Sequence, residues 1–306
     1  MMKKDWKTIF RFHFIGLGLF ILIGVLIPFF VNHRQSTRGL HHTLDNPQRI
    51  VSLAPDITEI LFALGLGDKI IAVSDDSDYP PEAANKHKVG TFWKPGTEAI
   101  ITMKPDLVIT QWFAEQKSVA DTLQKLGYNV LVLSMQKFRE LPEVINKIGI
   151  AAGVQERAEQ LSSDIENKIN GLKLKYNRNE KIKVLWVIEE EPLRVAGRNT
   201  FLNEMLEAAG GENAIGNTFQ QYPSISSEEI LSCGAEVIIQ SAMSKENIES
   251  QQKRAELFWS RYPILPAVKN KRIYVLYSDT LLRLGPRLPE GIEIIADCLY
   301  KNDSEK

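Results

Sequence analysis

Histidine and cysteine are scarce in this 306-residue chain, five and two respectively. His13, His33, His41, His42 and His87 lie in an apolar amino-terminal run, the polar stretch after it, or a loop. No histidine metal cage is therefore expected, and no zinc-ligand spacing occurs. An excess of one charge is also missing: 37 Lys+Arg stand against 38 Asp+Glu, a net charge of -1. A nucleic-acid binder normally carries a basic patch, so nucleic acid is not an expected partner. Walker motif, Gly-rich dinucleotide loop and Ser/His/Asp arrangement are all lacking. The expectation is a chain with no catalytic residue, no metal, no cofactor and no enzyme activity.

Two cysteines, Cys233 and Cys298, leave one potential disulfide. In an oxidising compartment they are a candidate pair; the alternative is two small buried apolar side chains. The amino terminus carries the one long apolar run. Lys3, Lys4, Lys7 and Arg11 precede residues 12–31, which approach the ~20 needed to cross a bilayer as a helix. The basic flank predicts that this end stays cytoplasmic and the rest lies beyond the inner membrane. Residues 28–34 offer no small-x-small cleavage site and no cysteine for a lipid follows. The reading is an uncleaved anchor, with a cleaved signal as the alternative.

Beyond it, two stretches repeat each other without a gap: residues 97–110 (TEAIITMKPDLVIT) and 227–240 (SEEILSCGAEVIIQ). Each reads as a polar start with a Glu, a short amphipathic helix, an acidic turn and a buried strand. The wide spacing is not that of a solenoid, whose periods are roughly 20–50 residues. It predicts two similar lobes, each presenting an equivalent carboxylate, Glu98 and Glu228. Short apolar strands alternating with helices indicate parallel sheets covered on both faces. Between the repeats, Ala158, Leu161, Ile165, Ile169 and Leu172 recur at spacings of three and four, so a long helix over 154–176 is expected to join the lobes. The predicted fold is α/β, two Rossmann-like lobes bridged by that helix and preceded by the membrane helix. Its divisions are 1–46 (anchor or signal and linker), 47–153 (first lobe), 154–178 (bridge) and 179–306 (second lobe).

Pockets in such a fold are built from loops at the carboxyl ends of strands. The candidates there are Pro55, Asp76, Phe92, Trp93, Trp112, Tyr222, Asp279 and Arg283. The aromatics present flat faces to a large ligand or else plug the lobe interface. Asp279 and Arg283 are ligand contacts or an internal ion pair one helix turn apart.

Residues 49–55 (RIVSLAP), Thr58-Glu59, Leu64-Gly65, Ser77-Asp78-Tyr79-Pro80, Val89-Gly90, Glu98, 104–109 (KPDLVI), Gly210-Gly211-Glu212-Asn213 and Ser278-Asp279 form an ordered series over about 47–300. It resembles the periplasmic substrate-binding proteins of ABC importers for iron siderophores, haem and vitamin B12, and is nearest to the members that bind vitamin B12. The resemblance implies a monomer that binds a corrinoid or metal chelate between its lobes. It also implies that Glu98 and Glu228 dock on arginines of an ABC permease, which works with an ATPase; the alternative is carboxylates that merely stabilise a helix start. A ferric-siderophore or haem carrier of the same fold, or a sensory or scaffold protein, are the rival functions. The series departs from the vitamin B12-binding members at Asp76, where they carry an aromatic, and at Ala209, where they carry a cysteine. That leaves Cys233 as the mate for Cys298.

Overall fold

A computed structural model describes residues 46–242, 247–277 and 279–300. The expected amino-terminal membrane helix lies outside the described residues, among which no helix is long and apolar enough to cross a membrane.

The first lobe is a five-stranded sheet in the order β3-β2-β1-β4-β5, formed by β1 (Ile50–Ser52), β2 (Ile70–Val73), β3 (His87–Lys88), β4 (Leu107–Gln111) and β5 (Val130–Leu133). Every pairing in it is parallel. Its strands are apolar at successive positions because both faces are covered: Leu107 and Ile109 point into one core and Val108 into another. Helices α1 (Pro55–Ala63), α2 (Pro81–Ala84), α3 (Thr97–Thr102), α4 (Ala114–Lys125) and α5 (Leu141–Ala151) make up the cover and connections.

The second lobe repeats the plan with an added hairpin. β6 (Ile182–Glu190) turns back antiparallel into β7 (Leu193–Val195) and pairs in parallel with β8 (Gly211–Asn213) and β9 (Val237–Ala242), which in turn pairs with β10 (Ile273–Tyr277). The antiparallel edge was not expected from the sequence. Its helices are α7 (Phe201–Ala208), α8 (Ser227–Cys233), α9 (Ile248–Trp259), α10 (Pro266–Lys269) and α11 (Leu288–Tyr300). The two repeats become α3–β4 and α8–β9, so each Glu falls in the first turn of a short helix feeding a buried strand.

Between the lobes runs α6 (Gln155–Lys175), 21 residues and thus about 32 Å long. Ala158, Ile165, Ile169 and Leu172 are its buried stripe. They join Ile145 and Ile148 of α5 to Leu202, Ile292 and Ile295 of α7 and α11 in a single apolar cluster that enters both lobes.

The suggested disulfide is not formed. Cys233 packs beside the core on one face of the second sheet, with Leu185, Val187 and Ile238; Cys298 belongs to the core on the other, with Trp186 and Ile239. Neighbouring strand residues point to opposite faces, so the sheet itself separates the two thiols. Cys233 Sγ instead donates to the Ile230 carbonyl at 3.1 Å.

Candidate ligand-binding and docking site

The strand ends of the first lobe bring most of the predicted residues to one edge. Pro55 opens α1 just after β1, Asp76 follows β2, Phe92 and Trp93 follow β3, and Trp112 follows β4. The loop over 91–94 is tightly closed. Gly90, at φ 102°, pairs across it with Pro95, and a Cβ there would meet the Lys94 carbonyl at 2.6 Å. Only glycine takes that conformation cheaply. The Phe92 peptide is then held from both sides: its N–H donates to Asp76 Oδ2 at 2.6 Å, and its carbonyl accepts from Gln116 Nε2 at 2.7 Å. Gln116 is buried in α4 and also accepts from the Gln111 amide at 2.8 Å. Asp76 therefore acts on the loop that bears the aromatics.

Phe92, Trp93 and Phe113 meet edge to face, with ring centroids 4.8 to 5.7 Å apart. Despite this order, Trp93 and Trp112 remain 63% and 58% exposed. Tyr222 belongs to the other lobe, on the strip beside β7 where Val195 N–H donates to the Pro223 carbonyl at 3.1 Å. It is half-buried, and burial raises the pKa of its phenol. A cavity of about 450 Å³ opens between α5, α6 and α7, lined by Leu141, Ile165, Ile169 and Ala208 among others. None of the predicted residues lines it.

Asp279 and Arg283 resolve as the internal ion pair, and in a larger network than one helix turn. Arg283 Nη2 lies 2.6 Å from Asp279 Oδ1, off the N–H direction, so this contact is ionic rather than a hydrogen bond. The same nitrogen donates to Asp78 at 2.8 Å and to the Asp76 carbonyl at 3.2 Å, and Nη1 donates to Glu59 Oε1 at 3.2 Å. Arg287 grips Glu59 with two nitrogens, at 2.9 Å and 2.5 Å, and meets Asp279 Oδ2 at 2.9 Å. Tyr79 covers its guanidinium, ring centroid 3.7 Å from Cζ. Burial works against both arginine charges, but hydrogen bonds and attraction from these carboxylates prevail and raise both pKa values. Glu59 lies on α1 of the first lobe and both arginines precede α11 of the second, so the network ties lobe to lobe.

Glu59, which in the sequence stands out only as part of the family series, is thus a further element of the site. Its signal was local. The helix Pro55–Ala63 has apolar residues at Ile57, Ile60, Leu61 and Phe62, leaving no wholly polar face for Asp56, Thr58 and Glu59. All three are buried. Asp56 accepts from Gln111 Nε2. Burial pushes its carboxyl from 3.8 up to about 7, opposed by the Ile57 amide and reinforced by repulsion from Glu59. The folded chain thus holds this proton to a higher pH than the unfolded chain does. The Asp56 contribution to stability is full below about pH 4 and falls as pH climbs towards about 7. Melting curves between pH 5 and 8 are expected to show this decline in the wild type and a flatter profile in Asp56→Asn. Equal slopes would rule the assignment out.

Glu98 and Glu228 are both exposed at the surface, in equivalent first turns. Glu229 beside the second is committed to a capping box, accepting from the Ser226 amide at 2.8 Å while its own amide donates to Ser226 Oγ at 3.2 Å.

Residues 50–280 match the family model described as "Periplasmic binding protein". The vitamin B12-binding protein of Vibrio parahaemolyticus is 33% identical over 248 residues, 80% of this chain and 86% of that protein. An uncharacterized ABC transporter substrate-binding lipoprotein of Bacillus subtilis is 31% identical over 262 residues, 83% of this chain and 80% of that protein. Among solved structures, the periplasmic vitamin B12 binding protein BtuF of Vibrio cholerae superposes with a TM-score of 0.72 at 28% identity, covering 85% of this chain and 99% of that one. The chain belongs to the periplasmic binding protein family, the extracytoplasmic, non-enzymatic substrate-binding components of ABC transporters.

Proposed function

We propose that this chain captures a corrinoid, or a metal chelate of similar size and flatness, between its lobes and hands it unchanged to an ABC permease. The observation that carries this reading is the exposure of two tryptophans at neighbouring strand ends: Trp93, on a loop fixed at both sides of the Phe92 peptide, and Trp112, after β4. Ordered aromatic faces left open to solvent suit a broad apolar ligand, because rigid rings lose little freedom when covered. Tyr222 faces the ligand from the second lobe, Pro55 borders it, and Asp76 acts by holding Phe92. Asp279 and Arg283 shape the cleft wall through their ion network. The two similar vitamin B12-binding proteins support a corrinoid over a ferric siderophore or haem. Glu98 and Glu228 dock the carrier on the permease, residues 1–46 tether it to the membrane, and it works as a monomer of two lobes, 47–153 and 179–306, joined by 154–178.

Titrating the detergent-solubilised full chain with cyanocobalamin while following tryptophan fluorescence tests the ligand. Saturable quenching is expected. Trp93→Ala and Trp112→Ala should each weaken binding by about tenfold, the scale of one lost aromatic contact. Binding unchanged in both variants would remove these residues from the site, and no binding would remove the corrinoid.

A further inference from the structure

Resting on that carrier reading, we infer that Glu59 sets the charge of the ligand the cleft accepts, excluding anionic chelates by occupying the two arginines that would receive them. The terminal donors of both arginines are already engaged. All three nitrogens of Arg287 have partners on this chain: Nε and Nη2 on Glu59, Nη1 on Thr280 Oγ1 at 3.1 Å and beside Asp279. Both terminal nitrogens of Arg283 are likewise engaged, by Glu59, Asp78 and the Asp76 carbonyl. Lys88 points inward as well, donating to the Ser77 carbonyl at 2.7 Å. Around two guanidinium charges stand three carboxylates, Glu59, Asp78 and Asp279. With Asp75 and Asp76 exposed on the neighbouring loop, the local field is negative.

An anionic ligand must either break these pairs or approach carboxylates without compensation. Like-charge juxtaposition of this kind rejects a wrong partner more effectively than it favours a right one. Glu59 is the determinant because, among the described carboxylates of the first lobe, it alone touches both arginines, with its side chain only 2% exposed; Asp279, which also meets both, belongs to their own segment. The ligand that fits is neutral or cationic where it meets the segment from Asp279 to Arg287. Glu59 does this as a positioning residue, through the arginines rather than by contact.

The test compares three probes on the full chain: cyanocobalamin, which is neutral overall; haemin, with two carboxylates; and an anionic ferric tris-catecholate. Wild type is expected to bind cyanocobalamin at least about tenfold more tightly than either anion. Glu59→Gln, which keeps the shape and removes the charge, should narrow that ratio by about tenfold through a gain for the anions. Asp78→Asn, at a half-exposed partner of Arg283, should narrow it less and serves if Glu59→Gln does not fold, as judged by its melting curve. A wild type that prefers an anion overturns the inference while leaving the carrier reading intact. So does a ratio unmoved in folded variants. If none of the three probes binds, the carrier reading fails and takes the inference with it.

Discussion

Glu59→Ala is expected to cost the fold about 3 kcal/mol, the low end of the range for removing one partner from a buried ion pair, because Asp78 and Asp279 remain. The reason is what remains. Arg287 loses a bidentate partner at 2.9 Å and 2.5 Å and keeps only Asp279 as a counter-charge, while Arg283 loses its 3.2 Å contact but keeps Asp78 and Asp279, so the cost falls chiefly on Arg287. Arg287 then keeps most of its desolvation cost with Asp279 alone to offset it. For a chain of this size the midpoint of thermal unfolding should fall by on the order of 10 °C. Replacing Glu59 and Arg287 together by apolar residues of similar volume should recover part of the loss, since exchanging a whole buried pair is often close to neutral. Thermal melts of the single and double variants measure the coupling directly. A loss below about 1 kcal/mol for the single variant would mean that the seam is wet enough to screen its charges.

The second large effect is on transport. Reversing both Glu98 and Glu228 to Arg should abolish uptake in cells while leaving ligand affinity within about twofold of wild type. The two carboxylates are exposed and equivalent in the repeat, and neither is among the aromatic residues proposed to meet the ligand. The fold should tolerate the change, because losing a first-turn carboxylate costs a helix about 0.3–1 kcal/mol. Either single reversal should leave partial uptake, since one contact still orients the partner. Glu229→Ala offers the contrast: it removes the acceptor of the capping box with Ser226 and should loosen α8 without abolishing delivery. Wild-type uptake by the double reversal would refute docking through these residues.

Legibility in the sequence followed the range of the interactions. The α3–β4 and α8–β9 repeats could be read because each is a local pattern of about fourteen residues. The stripe Ala158–Ile165–Ile169–Leu172 marked α6 for the same reason. The edge hairpin β6–β7 was missed because its second strand has three residues, too few to display a period. The Glu59–Arg287 contact spans 228 positions, and no local property of either residue encodes the other. The disulfide failed differently. Two cysteines in one lobe invite pairing, and only the strand alternation shows that they face opposite ways. Asp76 is expected at the site because it follows a strand; the hydrogen bond of its Oδ2 with the Phe92 amide spans 16 residues and has no local signal.

The apolar cluster that passes from α5 through α6 into α7 and α11 also constrains how relatives can diverge. A lobe cannot be traded between two such proteins as a module, because Ile165, Ile169 and Leu172 are fitted to neighbours on both sides at once. Grafting one lobe onto a foreign partner would mismatch the bridge along its whole buried stripe. The strand-end loops carry no such obligation. Segments such as 91–94 can change residue by residue, altering what is carried while the frame that presents Glu98 and Glu228 stays as it is. On the carrier reading proposed above, the unit of inheritance for specificity is the loop, and the unit of inheritance for delivery is the whole body.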